Sequence, residues 1–188
     1  SADIGIYARF LAAYANYVAG TEECLRAMVG SLTGIAEHVP DGGNAGFLVW
    51  GDPAFYDSTI RVVGRVLARG NVTFDYAVIP GVTSVQALAA RHRTVLNRIG
   101  EPVLLTTGRK LRAGLPVDDA IVMLDAGTSF ETLPPDTDIW WGAYLGMPDE
   151  TLVSGKVGEV GPEIQRLRKE LRDRKGWIMD TYLVRVQA

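Results

Sequence analysis

The chain has 188 residues, 47% of them hydrophobic, enough for one core or for two small ones sharing an interface. Charged residues make up 22% and the net charge is -3, which excludes a disordered chain and argues against a global attraction to nucleic acid. Cys24 stands alone, so no internal disulfide forms and a reducing compartment, the cytoplasm, is expected; no apolar run approaches the roughly 20 residues of a membrane span, and "SADIGIYARF" lacks the pattern of a secretory signal.

Residues 6 to 38 read as helical, with Tyr7, Phe10, Leu11 and Tyr14 on one face and Leu25, Met28, Leu32 and Ile35 on another. Gly20-Thr21-Glu22 separates two helices, with Thr21 as a cap. After the turn cluster "VPDGGNAG" comes "FLVW", a short apolar run suited to a buried parallel strand. Asp57 is placed to cap a helix carrying Ile60, Val63 and Leu67, and Gly70 to end it. "VTFDYAVI" is the next strand. Pro80-Gly81 breaks it, and Thr83 to Gln86 has the spacing of a capping box for a further helix.

"RTVLNRIGEP" reads as a crossover between domains, which places the first domain at 1–93 and the second at 94–188. Four candidate strands follow: "VLLTT", "AIVML", "DIWWGAYL" and "TLVSG". The next helix turns Val160, Ile164, Leu167 and Leu171 inward. Glu159 and Glu163 open it, Arg172, Arg174 and Lys175 close it as the helix dipole favours, and Gly176 stops it. "WIMDTYLVRV" is a last strand. The order predicts an α/β fold with a parallel-rich first sheet and a mixed second sheet.

Two strands end in glycine-containing turns that run straight into helices: Trp50-Gly51-Asp52-Pro53 and Ile79-Pro80-Gly81-Val82-Thr83-Ser84. In open α/β sheets ligands bind beyond the carboxyl ends of strands, glycine admits a close approach, and a helix start offers free N–H groups. On these grounds alone each turn taken singly reads more readily as a satisfied bend than as a ligand site.

"GDPAFYDST" followed by "VIPGVTSVQALAA" resembles the paired signatures of the tetrapyrrole methylases, which use S-adenosylmethionine (SAM). "RIGEPVLLTTGRKL", "IVMLDAG", "IWWGAYLGMPDETLVSGKV" and "GWIMDTYLVR" extend the likeness over residues 46 to 185, in the branch that methylates carbon 1 of a corrin precursor of cobalamin biosynthesis and releases acetate. The resemblance implies two α/β domains with SAM in the cleft between them, a homodimer, and a small tetrapyrrole substrate rather than nucleic acid or membrane. It implies that Gly51, Asp52 and Tyr56 line the cofactor site, that Thr83 and Ser84 contact its methionine part, that Met123 or Leu124 lies beside the adenosine, and that Ala143 and Tyr144 close over the adenine. S-adenosylhomocysteine is the implied product. The family opens with a strand leading into a GxGPG loop, which nothing in residues 1 to 45 matches. Two alternatives therefore stand beside it: the same chemistry on another substrate, or a non-catalytic fragment lacking the first cofactor loop.

The implied substrate is acidic and needs a local basic patch. Arg91, His92, Arg93 and Arg98 form one candidate group and Arg109, Lys110 and Arg112 another, with Arg109 favoured because it follows a strand end. Acetate release benefits from a general base. Asp52, Asp125, His38 and His92 are candidates by type, but His38 suits a helix end, His92 a surface turn, and no base is assigned. No metal site is expected, since neither histidine has a partner at ligand spacing. Of Trp140 and Trp141, strand alternation sends one inward and one outward.

Overall fold

The computed structural model describes residues 29–30, 32–35, 38–40, 42–114 and 118–186. The helices expected over 6–28, with the cap at Thr21, lie outside them. Contacts divide the chain into two compact units, Ser1–Gly81 and Val82–Ala188.

In the first unit, helix α1 (Thr59–Arg69) is the main described element. Its start is built by Asp57, whose Oδ1 accepts from the Thr59 N–H at 2.6 Å. Gly70 closes it in the left-handed conformation at φ 71°, as the sequence predicts. Val62, Val63 and Val66 of α1 pack with Val29 and Leu32, and Phe47, Val72 and Phe74 lean on that cluster. Neither segment expected as a strand, 47–50 or 72–79, is assigned as one. Nor is "FLVW" buried on both faces. Phe47 and Val49 turn inward while Leu48 is 91% and Trp50 75% exposed. The described residues supply a packing layer on one face only, so the run alternates instead of being covered throughout.

The second unit holds helix α2 (Ser84–His92), β1 (Leu104–Thr107), the single turn α3 (Gly108–Leu111), β2 (Asp119–Met123), a 3-10 turn (Ser129–Thr132), β3 (Asp138–Ala143), β4 (Thr151–Lys156), α4 (Val157–Lys175) and β5 (Asp180–Arg185). The strands form one sheet in the order β1-β2-β5-β3-β4. β1 pairs parallel with β2, whereas β5 runs antiparallel to both β2 and β3, and β4 antiparallel to β3. This is the mixed sheet the sequence predicts.

Central strands β2 and β5 are buried almost throughout, because each face of the sheet is covered. On one face Ile164 and Leu171 of α4 join Phe130, Ile139, Trp141, Tyr182 and Val184. On the other, Val85 and Leu88 of α2 pack with Ile121 and Leu183. Each such side chain contributes about 1.5–3 kcal/mol by leaving water. Trp141 belongs to the first core, while Trp140 lies half-buried on the opposite face, with the Arg185 guanidinium 5.2 Å from its ring centroid. Strand alternation separates the two rings as expected, but both are covered. α4 starts without a side-chain cap; its Val157 and Gly158 N–H groups donate instead to Thr137 O and Pro135 O, at 2.9 and 2.8 Å. Gly176 ends it at φ 78°.

Candidate functional site

The two turns singled out in the sequence meet within the first unit. Asp52 joins them: its Oδ1 accepts from the Ala54 N–H and its Oδ2 from the Gly81 N–H, both at 2.8 Å. Gly51 sits at φ 70°, in the left-handed region that favours glycine. Gly81 is required for a different reason. A Cβ there would stand 1.9 Å from the Gly51 carbonyl oxygen, so the two backbones touch where a side chain would go. Tyr56, just past the first turn, is also left-handed at φ 51°, and partial burial pushes its phenol above the ordinary range. A bulky residue held there costs about 1–3 kcal/mol and persists only where its surroundings over-determine it.

In the second unit the remaining predicted residues collect at one end of the sheet. β1, β2 and β3 run in the same direction, and Thr107 aligns with Met123, Met123 with Thr181, and Ala143 with Asp180. Their carboxyl ends therefore share an edge with the start of β5. The start of α2 is tied to that edge by a 3.1 Å hydrogen bond between the Ser84 and Thr181 hydroxyls. Thr83 is buried and forms the capping box read from the sequence. Its Oγ1 accepts from the Val85 N–H at 3.1 Å and touches Gln86 Oε1, which accepts from the Thr83 N–H at 3.0 Å. Its hydroxyl is thus committed to the helix start, and the free face there belongs to the backbone.

Leu124 and Tyr144, the residues directly after β2 and β3, are both left-handed, at φ 52° and 50°. Leu124 is 62% exposed, an apolar side chain standing at the strand edge. Tyr144 is the opposite case. Its ring is buried edge-on to Trp177, its hydroxyl donates to Trp177 O at 2.6 Å, and burial pushes its phenol up. The ring belongs to the core, and the backbone is also engaged: the Tyr144 N–H donates to Met179 O and its carbonyl accepts from the Met147 N–H, both at 2.9 Å. Ala143 is buried, and Met123 half-buried.

Arg109 lies exposed on α3, beyond β1, and makes no hydrogen bond or ion pair with any described residue. Two other members of the basic groups are committed elsewhere. Arg91 pairs with Glu150 at 2.8 Å, and Arg98 with Asp119 at 3.1 Å. His92 is not in a surface turn. It is the last residue of α2, half-buried, with Nε2 2.9 Å from Trp141 O, because α2 lies flat on β3 and brings its end over the strand. His38 lies exposed, its Nδ1 2.6 Å from Gly34 O.

Behind the strand edge lies a buried polar cluster that sequence reasoning did not assemble. Asp125 accepts from the Ser129 N–H and the Tyr182 hydroxyl on Oδ2, both at 2.8 Å, and from the Ser129 hydroxyl (2.7 Å) and the Gly127 N–H (3.2 Å) on Oδ1. Gly108 packs directly on this carboxylate; a Cβ there would lie 2.1 Å from Asp125 Oδ1. Arg168 of α4 reaches Asp125 O at 2.6 Å and has its Nε 3.4 Å from Asp180 Oδ2, which also accepts from the Trp141 indole N–H at 2.7 Å. Burial pushes the Tyr182 phenol far up, reinforced by the Asp125 charge. The only hint of this cluster in the sequence was Asp125 and Asp180 falling beside strand ends.

Asp180 is also raised: burial dominates, opposed by Arg168 and the Trp141 hydrogen bond, with Asp125 adding to the rise. Between its unfolded and folded pKa values Asp180 therefore keeps a proton in the folded chain that it has lost in the unfolded one. The stability Asp180 contributes is fully present below its unfolded pKa and is lost as pH rises through the folded one. Urea unfolding of wild type and Asp180→Asn from about pH 4 to about pH 7 should show wild type losing stability relative to the variant as pH rises. A constant difference would contradict it.

The chain belongs to the tetrapyrrole (corrin/porphyrin) methylase family, whose pattern matches residues 20–161. Its relatives narrow the likeness. The precorrin-6A synthase [deacetylating] of Sinorhizobium sp is 50% identical over 157 residues, 82% of this chain and 60% of that protein. A solved cobalamin-synthesis-related protein (CobF) from Corynebacterium diphtheriae is 40% identical at a TM-score of 0.80, over 88% of this chain and 73% of that one. The uroporphyrin-III C-methyltransferase of Thermus thermophilus, at 26% identity and a TM-score of 0.59, covers 86% of this chain and 67% of its own. The fold is the α/β fold of these methyltransferases. The chain thus spans about 60% of the length of its Sinorhizobium relative. No helix among the described residues is long and apolar enough to cross a membrane.

Proposed function

We propose that the chain carries the SAM-dependent C-methyltransferase activity of a deacetylating precorrin-6A synthase. It would methylate carbon 1 of precorrin-5 and release acetate in cobalamin biosynthesis. The observation that carries this reading is the gathering of three strand ends and the start of α2 at one sheet edge, on residues the family signatures mark. The 50% identity to the Sinorhizobium enzyme supports the choice of substrate.

The residues fit the cofactor. Gly51 brings no side chain to its turn, and Leu124 presents an apolar side chain at the strand edge. The residues that would hold SAM are those the family signatures mark: Gly51, Asp52, Tyr56, Thr83, Ser84, Met123, Leu124, Ala143 and Tyr144. The cofactor supplies an electrophilic methyl on sulfonium, and the macrocycle carbon is the nucleophile. What the protein adds is chiefly alignment, which is worth up to about 7–11 kcal/mol in well-oriented reactions. Asp52 acts here as a positioning residue, since both its oxygens hold backbone N–H groups. Arg109, exposed past β1, would meet a carboxylate of the acidic substrate. Asp125 is not a base for acetate release, because its carboxylate is buried under four donors. We further propose two domains, 1–93 and 94–188, the first built on a parallel-rich sheet, and a cytoplasmic homodimer.

Calorimetry with S-adenosylhomocysteine tests the cofactor half. Wild type should bind with Kd on the order of micromolar, about -8 kcal/mol, and Asp52→Ala should bind at least about tenfold more weakly. Absence of binding by wild type, or equal affinity in the variant, would sink it. Incubation with SAM and precorrin-5 tests the substrate half: methylated product with acetate supports the assignment, and methylation without acetate moves the chain to another member of the family.

A further inference from the structure

Arg168 stands midway along α4 and is only 5% exposed. Its guanidinium is not spent on one carboxylate. Nη2 donates to Asp125 O at 2.6 Å, Nη1 donates to Gly127 O, and Nε lies 3.4 Å from Asp180 Oδ2. An arginine that served only to neutralise a carboxylate would present its planar fork to both oxygens of one group. Here two of the three nitrogens hold backbone carbonyls directly after β2, and the third reaches the start of β5.

Those attachments converge on the residues marked for the nucleoside. Leu124, left-handed at φ 52°, is followed at once by Asp125, whose carbonyl Arg168 holds. From the opposite side, the Asp125 carboxylate holds the Gly127 and Ser129 N–H groups, so the turn is gripped through its carbonyls by one side chain and through its amides by another. Asp180 aligns with Ala143 across the β3–β5 ladder and accepts from Trp141 in the same strand. A single guanidinium thus holds the backbone directly after β2 and, through the Asp180 carboxylate and the Trp141 indole, is linked by side chains alone to the strand that ends in Ala143-Tyr144.

We infer that Arg168 is a positioning residue for the nucleoside half of SAM. Its guanidinium holds the 124–127 turn in binding geometry before the ligand arrives, so that binding does not have to order it. This rests on the cofactor reading proposed above.

The test compares wild type with Arg168→Lys, which keeps the charge and loses the fork. The probes are S-adenosylhomocysteine and 5′-methylthioadenosine, which lacks the amino-acid part. At a temperature where both proteins are folded, Kd for both probes should rise by the same factor, at least about tenfold. A role confined to stability would lower the melting temperature and leave both constants alone. Hydrogen exchange on ligand-free wild type should show the Gly127 and Ser129 amides already slow. A folded Arg168→Lys that binds both probes within about twofold of wild type would overturn the inference, as would fast exchange at those amides. Should Arg168→Lys fail to fold, the exchange measurement decides by itself. A wild type that binds neither probe would defeat the proposed function and this inference together, a result distinct from a variant that matches a binding wild type.

Discussion

Gly81→Ala should reduce affinity for S-adenosylhomocysteine by about tenfold or more, that is by at least about 1.4 kcal/mol. The added Cβ would stand 1.9 Å from the Gly51 carbonyl oxygen and 3.0 Å from its carbon. Both are backbone atoms, so neither can swing aside as the end of a side chain would. One of the two turns has to move, and the 2.8 Å bond from the Gly81 N–H to Asp52 goes with it. Overpacking of this kind costs about 1–3 kcal/mol in stability, and the larger consequence falls on the geometry of the paired turns. Gly64→Ala is the control. Gly64 is exposed on α1 with nothing within 4 Å of a new Cβ, and the exchange should leave binding unchanged while gaining up to about 1 kcal/mol of helix stability. Calorimetry on the three proteins decides, and a Gly81→Ala protein that binds as tightly as wild type would remove the reason for pairing these turns in one site.

The second large effect is expected on stability. Asp125→Asn should cost about 3–5 kcal/mol, the range for breaking a buried ion pair by altering one partner. The carboxylate receives four hydrogen bonds and lies 3.9 Å from Arg168 Nη1. An asparagine keeps one acceptor oxygen and turns an N–H₂ group toward groups that themselves donate. At least one donor is then left buried and unpaired, at about 1–3 kcal/mol each, and Arg168 loses one of its two neighbouring carboxylates. Tyr182→Phe removes a single donor from the same carboxylate and should cost about 1 kcal/mol. Urea unfolding of the two variants at neutral pH should place them in that order. Equal losses would mean that the Asp125 charge is not what organises the turn after β2.

Sequence alone carried further in the second unit than in the first, and the reason is physical. Thr83 and Gln86 form the capping box, Gly70 and Gly176 end their helices, and β1, β2, β3, β4 and β5 fall on the runs read as strands. Each is decided within a few residues by side-chain period or by backbone conformation at one position. "FLVW" and "VTFDYAVI" carry the same strand signal, yet neither is assigned as a strand, because pairing depends on partners that a local pattern does not contain.

The family and its marked residues were legible because the signature strings are contiguous. What those residues do was not. Asp52 reads as a ligand-facing acid and proves to be a clasp on Gly81, 29 positions away. Asp125 reads as a candidate base and is held with Arg168, 43 positions away, inside the core. Tyr144 reads as a cover for adenine and buries its ring against Trp177. The sequence by itself determined the helix ends, the strands of the second sheet and the family. Only the tertiary structure decided which polar side chains remain free for a ligand, because hydrogen bonds between distant segments consume donors and acceptors that residue type alone leaves open.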